Sequence, residues 1–190
     1  YFNTFLYYCG MKKMIFISYL FLFFHFDVIP QTTIKMDGFF DDWNANINTY
    51  IDDSTDSQGI DLIGFSVCND SDYLYIKLDF DSEIDLTEQS FNPTEVIINI
   101  DADNNTSTGF TVNNIGSEYG INFFEKFVFD DTDSNMVDTL SLYDFDIIAL
   151  PSITSKEFEI AIIRSLFSDS IAISIRDFVG NDFMPDNGSI

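Results

Sequence analysis

Short runs in which apolar and polar residues alternate constrain the fold of this chain more than any other feature. Residues 73–80 alternate strictly, which predicts a half-buried β-strand, because successive side chains of a strand point to opposite sides. We expect the core-facing side to consist of Leu74, Ile76, Leu78 and Phe80. We expect the outward side to consist of Tyr73, Tyr75, Lys77 and Asp79.

Further short apolar runs are separated by clusters of Asp, Asn, Ser and Gly. Strands of this length with polar turns between them, and without a convincing amphipathic helix, predict an all-β fold. We expect a two-sheet antiparallel β-sandwich of the jelly-roll or immunoglobulin-like type. A helical turn is predicted at residues 164–167. The other predicted strands are residues 60–68, 95–101, 120–130, 142–150, 157–163 and 170–178.

A loop rich in side-chain oxygens directly follows the apolar run 96–100. Asp101, Asp103 and Asn105 occupy alternate positions in it, which suits a calcium ion, because calcium takes about six to eight oxygen ligands. The loop is not an EF-hand, since its sixth position is Thr106 instead of Gly and its twelfth is Val112 instead of Glu. The alternative is a solvated turn in which these side chains bond their own backbone.

The charge balance narrows the choice of partners. The chain has 190 residues, and its 8 Lys and Arg residues against 32 Asp and Glu residues give a formal net charge of -24. Such a field repels phosphate backbones and anionic lipids, so we expect no nucleic-acid partner. Because 46% of the residues are apolar, including 22 Phe, we expect the acidity to lie on a folded surface and not in a disordered chain.

Residues 11–30 have the pattern of a secretory signal peptide, in which two lysines precede an uncharged apolar stretch that ends at Asp27. A membrane anchor is the alternative, but the stretch is shorter than the roughly 20 residues that a spanning helix needs. We expect cleavage, a secreted or cell-surface location without membrane attachment, and a single β-sandwich domain at residues 31–190. Whether that domain is truncated at its C-terminus stays open. Residues 1–10 are expected to be an upstream translation artefact.

The scarcity of histidine and cysteine excludes several kinds of site. His25 is the only histidine and lies inside the predicted leader, so the exported chain has no His-bound zinc and no Ser-His-Asp or Cys-His mechanism. Cys9 precedes the leader, so Cys68 would be the only cysteine after export. No internal disulfide is therefore expected.

Four segments carry a resemblance to a known family. They are residues 34–43, with an Asp-Gly turn before Trp43, residues 67–76, with Tyr-Leu-Tyr, residues 100–109, with the acidic loop, and residues 115–119. In this order they resemble the family 9 carbohydrate-binding module and its DOMON-like relatives. The resemblance implies an extracellular β-sandwich, often calcium-stabilised and attached to a secreted enzyme. Some DOMON-like relatives hold haem, but a His-ligated haem is excluded here after processing.

The resemblance also implies site residues. Asp37 and Asp42 match the opening motif, and Glu118 falls where the family often has an acidic residue after Ile-Gly. With the three residues found by spacing, the candidate metal ligands are Asp101, Asp103, Asn105, Asp37, Asp42 and Glu118. The family binds sugars with exposed aromatic rings, and the candidates are Tyr73, Tyr75 and Trp43. Trp43 is alternatively a core residue, and the two tyrosines are alternatively cross-strand partners.

Three functions of different classes follow. The expected one is a secreted, non-catalytic binding module, stabilised by calcium, that binds a glycan or polysaccharide as part of a longer extracellular protein with appended domains. The second is a structural or adhesive spacer of a surface protein, because one sandwich fold hosts many functions. The third is a glycoside hydrolase with paired carboxylates, which is disfavoured because no spacing singles out one pair of acids. We therefore expect no enzyme activity.

Overall fold

The structure is a computed structural model, and it describes residues 34–43, 47–52, 60–86, 96–123, 127–130, 145–148, 154–177, 182–186 and 188–190. The chain divides into two units, Tyr1–Gln31 and Thr32–Ile190, and every described residue lies in the second. The predicted translation artefact at residues 1–10 and the predicted signal peptide at residues 11–30 lie outside the described residues. Among the described residues, no helix has the length and apolar character needed to cross a membrane.

Twelve β-strands and one short 3-10 turn, Arg164–Leu166, form the described part of the chain. The turn lies where a helical turn was expected. The strands are β1 (Asn48–Ile51), β2 (Leu62–Asn69), β3 (Tyr73–Asp85), β4 (Val96–Asp101), β5 (Phe110–Val112), β6 (Ile115–Ser117), β7 (Tyr119–Asn122), β8 (Phe127–Asp130), β9 (Phe145–Ile148), β10 (Thr154–Ile163), β11 (Ala172–Asp177) and β12 (Asp182–Met184).

The strands form two five-stranded antiparallel sheets and one small hairpin. The first sheet has the order β1-β2-β3-β10-β9, and the second has the order β12-β11-β4-β7-β8. Strands β5 and β6 pair only with each other in a two-stranded sheet. The prediction of an all-β, antiparallel β-sandwich is confirmed.

The core lies between the two five-stranded sheets and follows the alternation of the sequence. The predicted inner face of β3 is buried along its whole length, and it packs with apolar residues of β4, β7 and β11 in one cluster. Phe80, Phe123 and Phe158 meet inside this cluster, where the rings of Phe123 and Phe158 stand edge to face with their centroids 5.0 Å apart. Edge-to-face packing of this kind adds to the gain from burial alone.

One predicted strand is wrong in its connectivity. Residues 120–130 were expected to form a single strand, but they contribute to two strands, β7 and β8, which pair with each other antiparallel. The pairing starts at Asn122 opposite Phe127, so the chain reverses between these residues. Apolar residues lie on both sides of this reversal, so the hydrophobic pattern alone does not mark it.

The polar pattern of β3 predicted that its outer face is open to solvent. Part of this face is covered by other residues. Tyr75 and Ala161 form a second apolar cluster with Ile34 and Ile47, and Trp43 packs against it. The segment 34–43, which we call the opening segment, therefore covers part of the outer face of the first sheet.

A buried carboxylate fastens the opening segment to the sheet. Glu159 of β10 is 0% exposed. It accepts a hydrogen bond from the Gly38 N–H at 2.6 Å and another from Trp43 Nε1 at 3.1 Å. Burial raises the pKa of this carboxyl, and the bonds from Gly38 and Trp43 act in the opposite direction. Since hydrogen bonds to a charged group are stronger than neutral ones, these two bonds hold the opening segment in place.

We predict that Glu159→Gln lowers the free energy of unfolding by about 2 kcal/mol, because the new amide places a donor against one of two existing donors. Glu157→Gln is the matched control on the same strand. It removes an ion pair to Lys77 in which the Glu157 side chain is 44% exposed, so we expect a loss below about 1 kcal/mol. Urea unfolding of both variants measures the difference, and equal losses would contradict the role given to Glu159.

Candidate metal centre

Three carboxylates converge where β4 ends. Asp101 is the last residue of β4, Asp103 lies two residues further in the following loop, and Glu118 lies between β6 and β7. Each residue offers one oxygen, and these oxygens lie within 4.8 Å of one another. Asp101 and Glu118 are buried, whereas Asp103 is exposed. The cluster therefore reaches solvent through Asp103.

Backbone pairing fixes Glu118 beside the loop. The Glu118 N–H donates to the Ile100 carbonyl at 3.0 Å, so the residue is held against the last part of β4. In return, the Ala102 N–H donates to Glu118 Oε2 at 2.7 Å. These two bonds place a carboxylate from beyond the β5–β6 hairpin directly next to Asp101.

The other two carboxylates are held by hydrogen bonds from within the loop and its neighbouring strand. The Asn105 N–H donates to Asp101 Oδ1 at 2.9 Å, and the Gly116 N–H donates to Asp101 Oδ2 at 3.2 Å. The Thr108 hydroxyl lies 3.1 and 3.2 Å from the two oxygens of Asp103 and 2.8 Å from the Asn105 carbonyl oxygen. The single hydroxyl proton serves only one of these three oxygens at a time.

Glu118 is the residue whose environment is incomplete. Its side chain is buried, with 6% of the residue exposed, and its Oε1 atom has no hydrogen-bond partner among the described residues. Burial raises the pKa of this carboxyl, the Ala102 N–H and the Thr108 hydroxyl oppose the rise, and the charges of Asp103 and Asp101 add to it. A buried carboxylate oxygen without a partner is costly, so the arrangement favours a bound cation at this position.

Two glycines allow the loop to pack against β6. A Cβ on Gly116 would lie 2.1 Å from the Thr108 carbonyl oxygen and 2.6 Å from the Asn105 carbonyl oxygen. Gly109 has φ +64, and a Cβ there would lie 2.4 Å from the Ser117 carbonyl oxygen. Only glycine fits these approaches, and without them Glu118 would not reach the loop.

The structure brings together three of the six predicted metal ligands, Asp101, Asp103 and Glu118. The Asn105 side-chain oxygen accepts the Ser107 N–H at 3.1 Å, as in an Asx turn. Asp37 and Asp42 lie in the opening segment and are not members of the cluster. Their carboxylates accept the N–H groups of Phe39 at 3.0 Å and Lys35 at 2.8 Å, respectively.

The three predicted sugar-binding aromatic residues lie in different environments. Tyr73 is 41% exposed, whereas Tyr75 is 6% exposed and donates its hydroxyl to Asp70 Oδ2 at 2.9 Å. The two tyrosine rings lie 6.0 Å apart, which fits the alternative of packing within the sheet. Trp43 is half-buried at the end of the opening segment and packs against the cluster that contains Tyr75, which fits its alternative core role. Tyr73 is thus the most accessible of the three rings.

Several residues that shape the site were not predicted from the sequence. Thr108 and Gly116 lie inside segments that resemble the family, yet the sequence does not reveal that one bonds Asp103 and the other bonds Asp101. Glu159 lies in an alternating strand, and nothing in its spacing marks it as the anchor of the opening segment.

No protein-family profile matches the chain, and no curated protein matches it. Two solved structures of a family 9 carbohydrate binding module from Caldicellulosiruptor kristjanssonii are similar to it at 16% identity. The match to the cellotriose complex covers 76% of this chain and 73% of the module's chain, with a TM-score of 0.46. The match to the glucose complex covers 75% of this chain and 72% of the module's chain, with a TM-score of 0.47. Both are structures of the family that the four sequence segments resemble.

We predict that Gly116→Ala destabilises the domain by about 3 kcal/mol, because the new Cβ would meet two backbone carbonyls that cannot move independently of the loop. Gly120→Ala in β7 is the matched control. Its Cβ would make ordinary contacts of 3.5 Å with Phe129 and 3.6 Å with Ile97, so we expect a change within about 1 kcal/mol. Denaturant unfolding tests both, and a Gly116→Ala variant as stable as Gly120→Ala would contradict the described packing.

Proposed function

We propose that this domain is a secreted, non-catalytic binding module that holds calcium between Asp101, Asp103 and Glu118. One observation supports the metal most directly, namely the buried Oε1 atom of Glu118, which has no hydrogen-bond partner among the described residues and belongs to a three-carboxylate cluster. A cation there would complete the Glu118 environment and offset the repulsion among three negative charges.

The donor set favours calcium over softer metals. All three side chains supply carboxylate oxygens, and hard cations such as calcium prefer oxygen, whereas zinc and copper prefer imidazole and thiolate. Calcium also tolerates irregular geometry and variable ligand number better than magnesium, which demands a nearly ideal octahedron. A site made from one strand end, one exposed loop position and one residue after a hairpin fits the more tolerant ion.

The glycan-binding part of the proposal has two supports. The sequence segments resemble a family that binds carbohydrate, and Tyr73 presents an exposed ring whose centroid lies 6.0 Å from that of the Tyr75 ring. An exposed aromatic ring is suited to stack on the apolar face of a sugar. The leader pattern in residues 11–30 supports secretion, and the resemblance supports a place within a longer extracellular protein.

A structural or adhesive spacer is the second candidate. It is favoured by the burial of Tyr75 and the partial burial of Trp43, which leave one accessible ring among the three predicted sugar contacts. In that function, calcium would stiffen the domain and no sugar would bind.

We predict that calcium raises the melting temperature of the protein, and that calcium at one hundred times its Kd adds about 2.7 kcal/mol of stability. Glu118→Gln is expected to abolish this gain and to raise the stability of the calcium-free protein, because it removes one of three clustered negative charges. Calorimetric titration and thermal unfolding, each with and without a chelator, measure both effects.

Asp169→Asn is the matched control for the calcium experiment, since it removes an exposed acidic charge outside the cluster, between Ser168 and Ser170, which bond Ala102 and Asn104 of the loop. It should respond to calcium as the unmodified protein does. A protein that neither binds calcium nor gains stability from it would refute the metal centre, as would a Glu118→Gln variant that binds as before.

We predict that a glycan array that includes cellotriose finds at least one ligand, and that Tyr73→Ala weakens its binding by about tenfold, the size expected when one stacking ring is removed. Phe110→Ala removes another exposed aromatic ring, from β5, and should leave binding unchanged. Absence of any ligand on the array would favour the spacer function.

A further inference from the structure

The hairpin formed by β5 and β6 connects the carboxylate cluster with the end of the chain. At its base, Glu118 directly follows β6, and the Gly116 N–H donates to Asp101 Oδ2. At its tip, Asn113 and Asn114 have φ values of 44 and 66, which is the backbone of a two-residue hairpin turn with both central residues at positive φ. The six residues of β5 and β6 therefore lie between the acidic cluster and the turn.

The side chain of Asn113 uses both ends of its amide outside the hairpin. Its Nδ2 donates to Ser174 Oγ at 2.9 Å and to the Pro185 carbonyl at 2.7 Å. Its Oδ1 accepts the Gly188 N–H at 3.1 Å. A single side chain thus bonds β11 and two places in the last residues of the chain.

Apolar and backbone contacts join the same three elements. Val112 and Ile115 of the hairpin form a small buried cluster with Ala172 of β11, and Phe183 of β12 packs against it. Beyond β12, the N–H and carbonyl groups of Ile190 exchange two hydrogen bonds with Ile173, at 3.1 and 2.9 Å. We call residues 182–186 and 188–190 the C-terminal segment, and it covers the edge of β11 that faces away from β4.

We propose that cation binding at the carboxylate cluster stabilises the docking of the C-terminal segment on β11 through the β5–β6 hairpin. The inference rests on the proposed metal centre. Without the cation, repulsion among Asp101, Asp103 and Glu118 acts on the base of the hairpin. Any shift of the hairpin loosens Asn113 from its three partners in β11 and the C-terminal segment.

The proposed coupling would control whether the edge of β11 that faces away from β4 is covered. When the C-terminal segment is docked, β11 lies between β4 on one side and Met184 and Ile190 on the other, and the N–H and carbonyl groups of Ile173 both bond to Ile190. When it loosens, β11 presents an unpaired edge, which is a template for pairing with another strand. Calcium would thus determine whether this edge is covered.

Amide hydrogen exchange of the full chain, followed by NMR with calcium and with a chelator, tests the coupling. The reporters are the N–H groups of Gly188 and Ile190, which the structure shows bonded to Asn113 and Ile173. We expect calcium to slow their exchange by about tenfold, within the range typical of coupled sites. The N–H groups of Ala102 and Asn105 report on the metal centre itself.

Asn113→Gly and Asn114→Gly form a matched pair, since both keep a residue suited to positive φ in the turn and only the first removes the three amide bonds. In Asn113→Gly, calcium should still slow exchange at Ala102 and Asn105 but no longer at Gly188 and Ile190, whereas Asn114→Gly should behave as the unmodified chain.

In the unmodified chain, slowing at Ala102 and Asn105 without slowing at Gly188 and Ile190 would overturn the coupling and leave the metal centre standing. No slowing at any of the four groups would overturn both. These comparisons need no variant, so they decide the inference even if Asn113→Gly does not fold.

Discussion

The mutual repulsion of three carboxylates at the end of β4 is the constraint on which the rest of the site depends. The carboxylate oxygens lie within 4.8 Å of one another, so each pair of charges repels by a few kcal/mol at the effective dielectric of a protein surface. This repulsion is of the same order as the free energy of the hydrogen bonds that hold the three side chains. The Ala102, Asn105 and Gly116 N–H groups offset part of this cost. They leave Glu118 Oε1 without a hydrogen-bond partner among the described residues, and the proposed cation would offset what remains.

The second sheet positions this cluster, and the first sheet carries the opening segment. The second sheet carries the cluster at the end of a fully buried strand, β4, and its strand β11 meets the hairpin and the C-terminal segment. The first sheet is covered on part of its outer face by the opening segment, which Glu159 anchors. This covering uses Trp43 and Tyr75 for packing, which fits the alternative roles in the core and the sheet that the sequence also allows for them.

The sequence predicted the elements whose signal is local. The period-2 pattern of β3 predicts both the strand and its buried face, and the alternate oxygens after β4 predict that Asp101 and Asp103 are neighbours. It did not predict the hairpin of β7 and β8, since apolar residues continue across the reversal. Asp37 and Asp42 were grouped with the loop through family resemblance alone, but they bond backbone N–H groups in the opening segment. Asn113 and Glu159 act over 61 and 116 residues of sequence, distances at which no local pattern operates.

A crystal structure of the protein grown with calcium tests the central claim most directly. The account predicts one ion bound by Asp101, Asp103 and Glu118, with oxygen distances of about 2.3–2.6 Å and an anomalous signal that identifies it. It would be contradicted by a structure at saturating calcium in which these three side chains turn away from one another into bulk water and no ion lies between them.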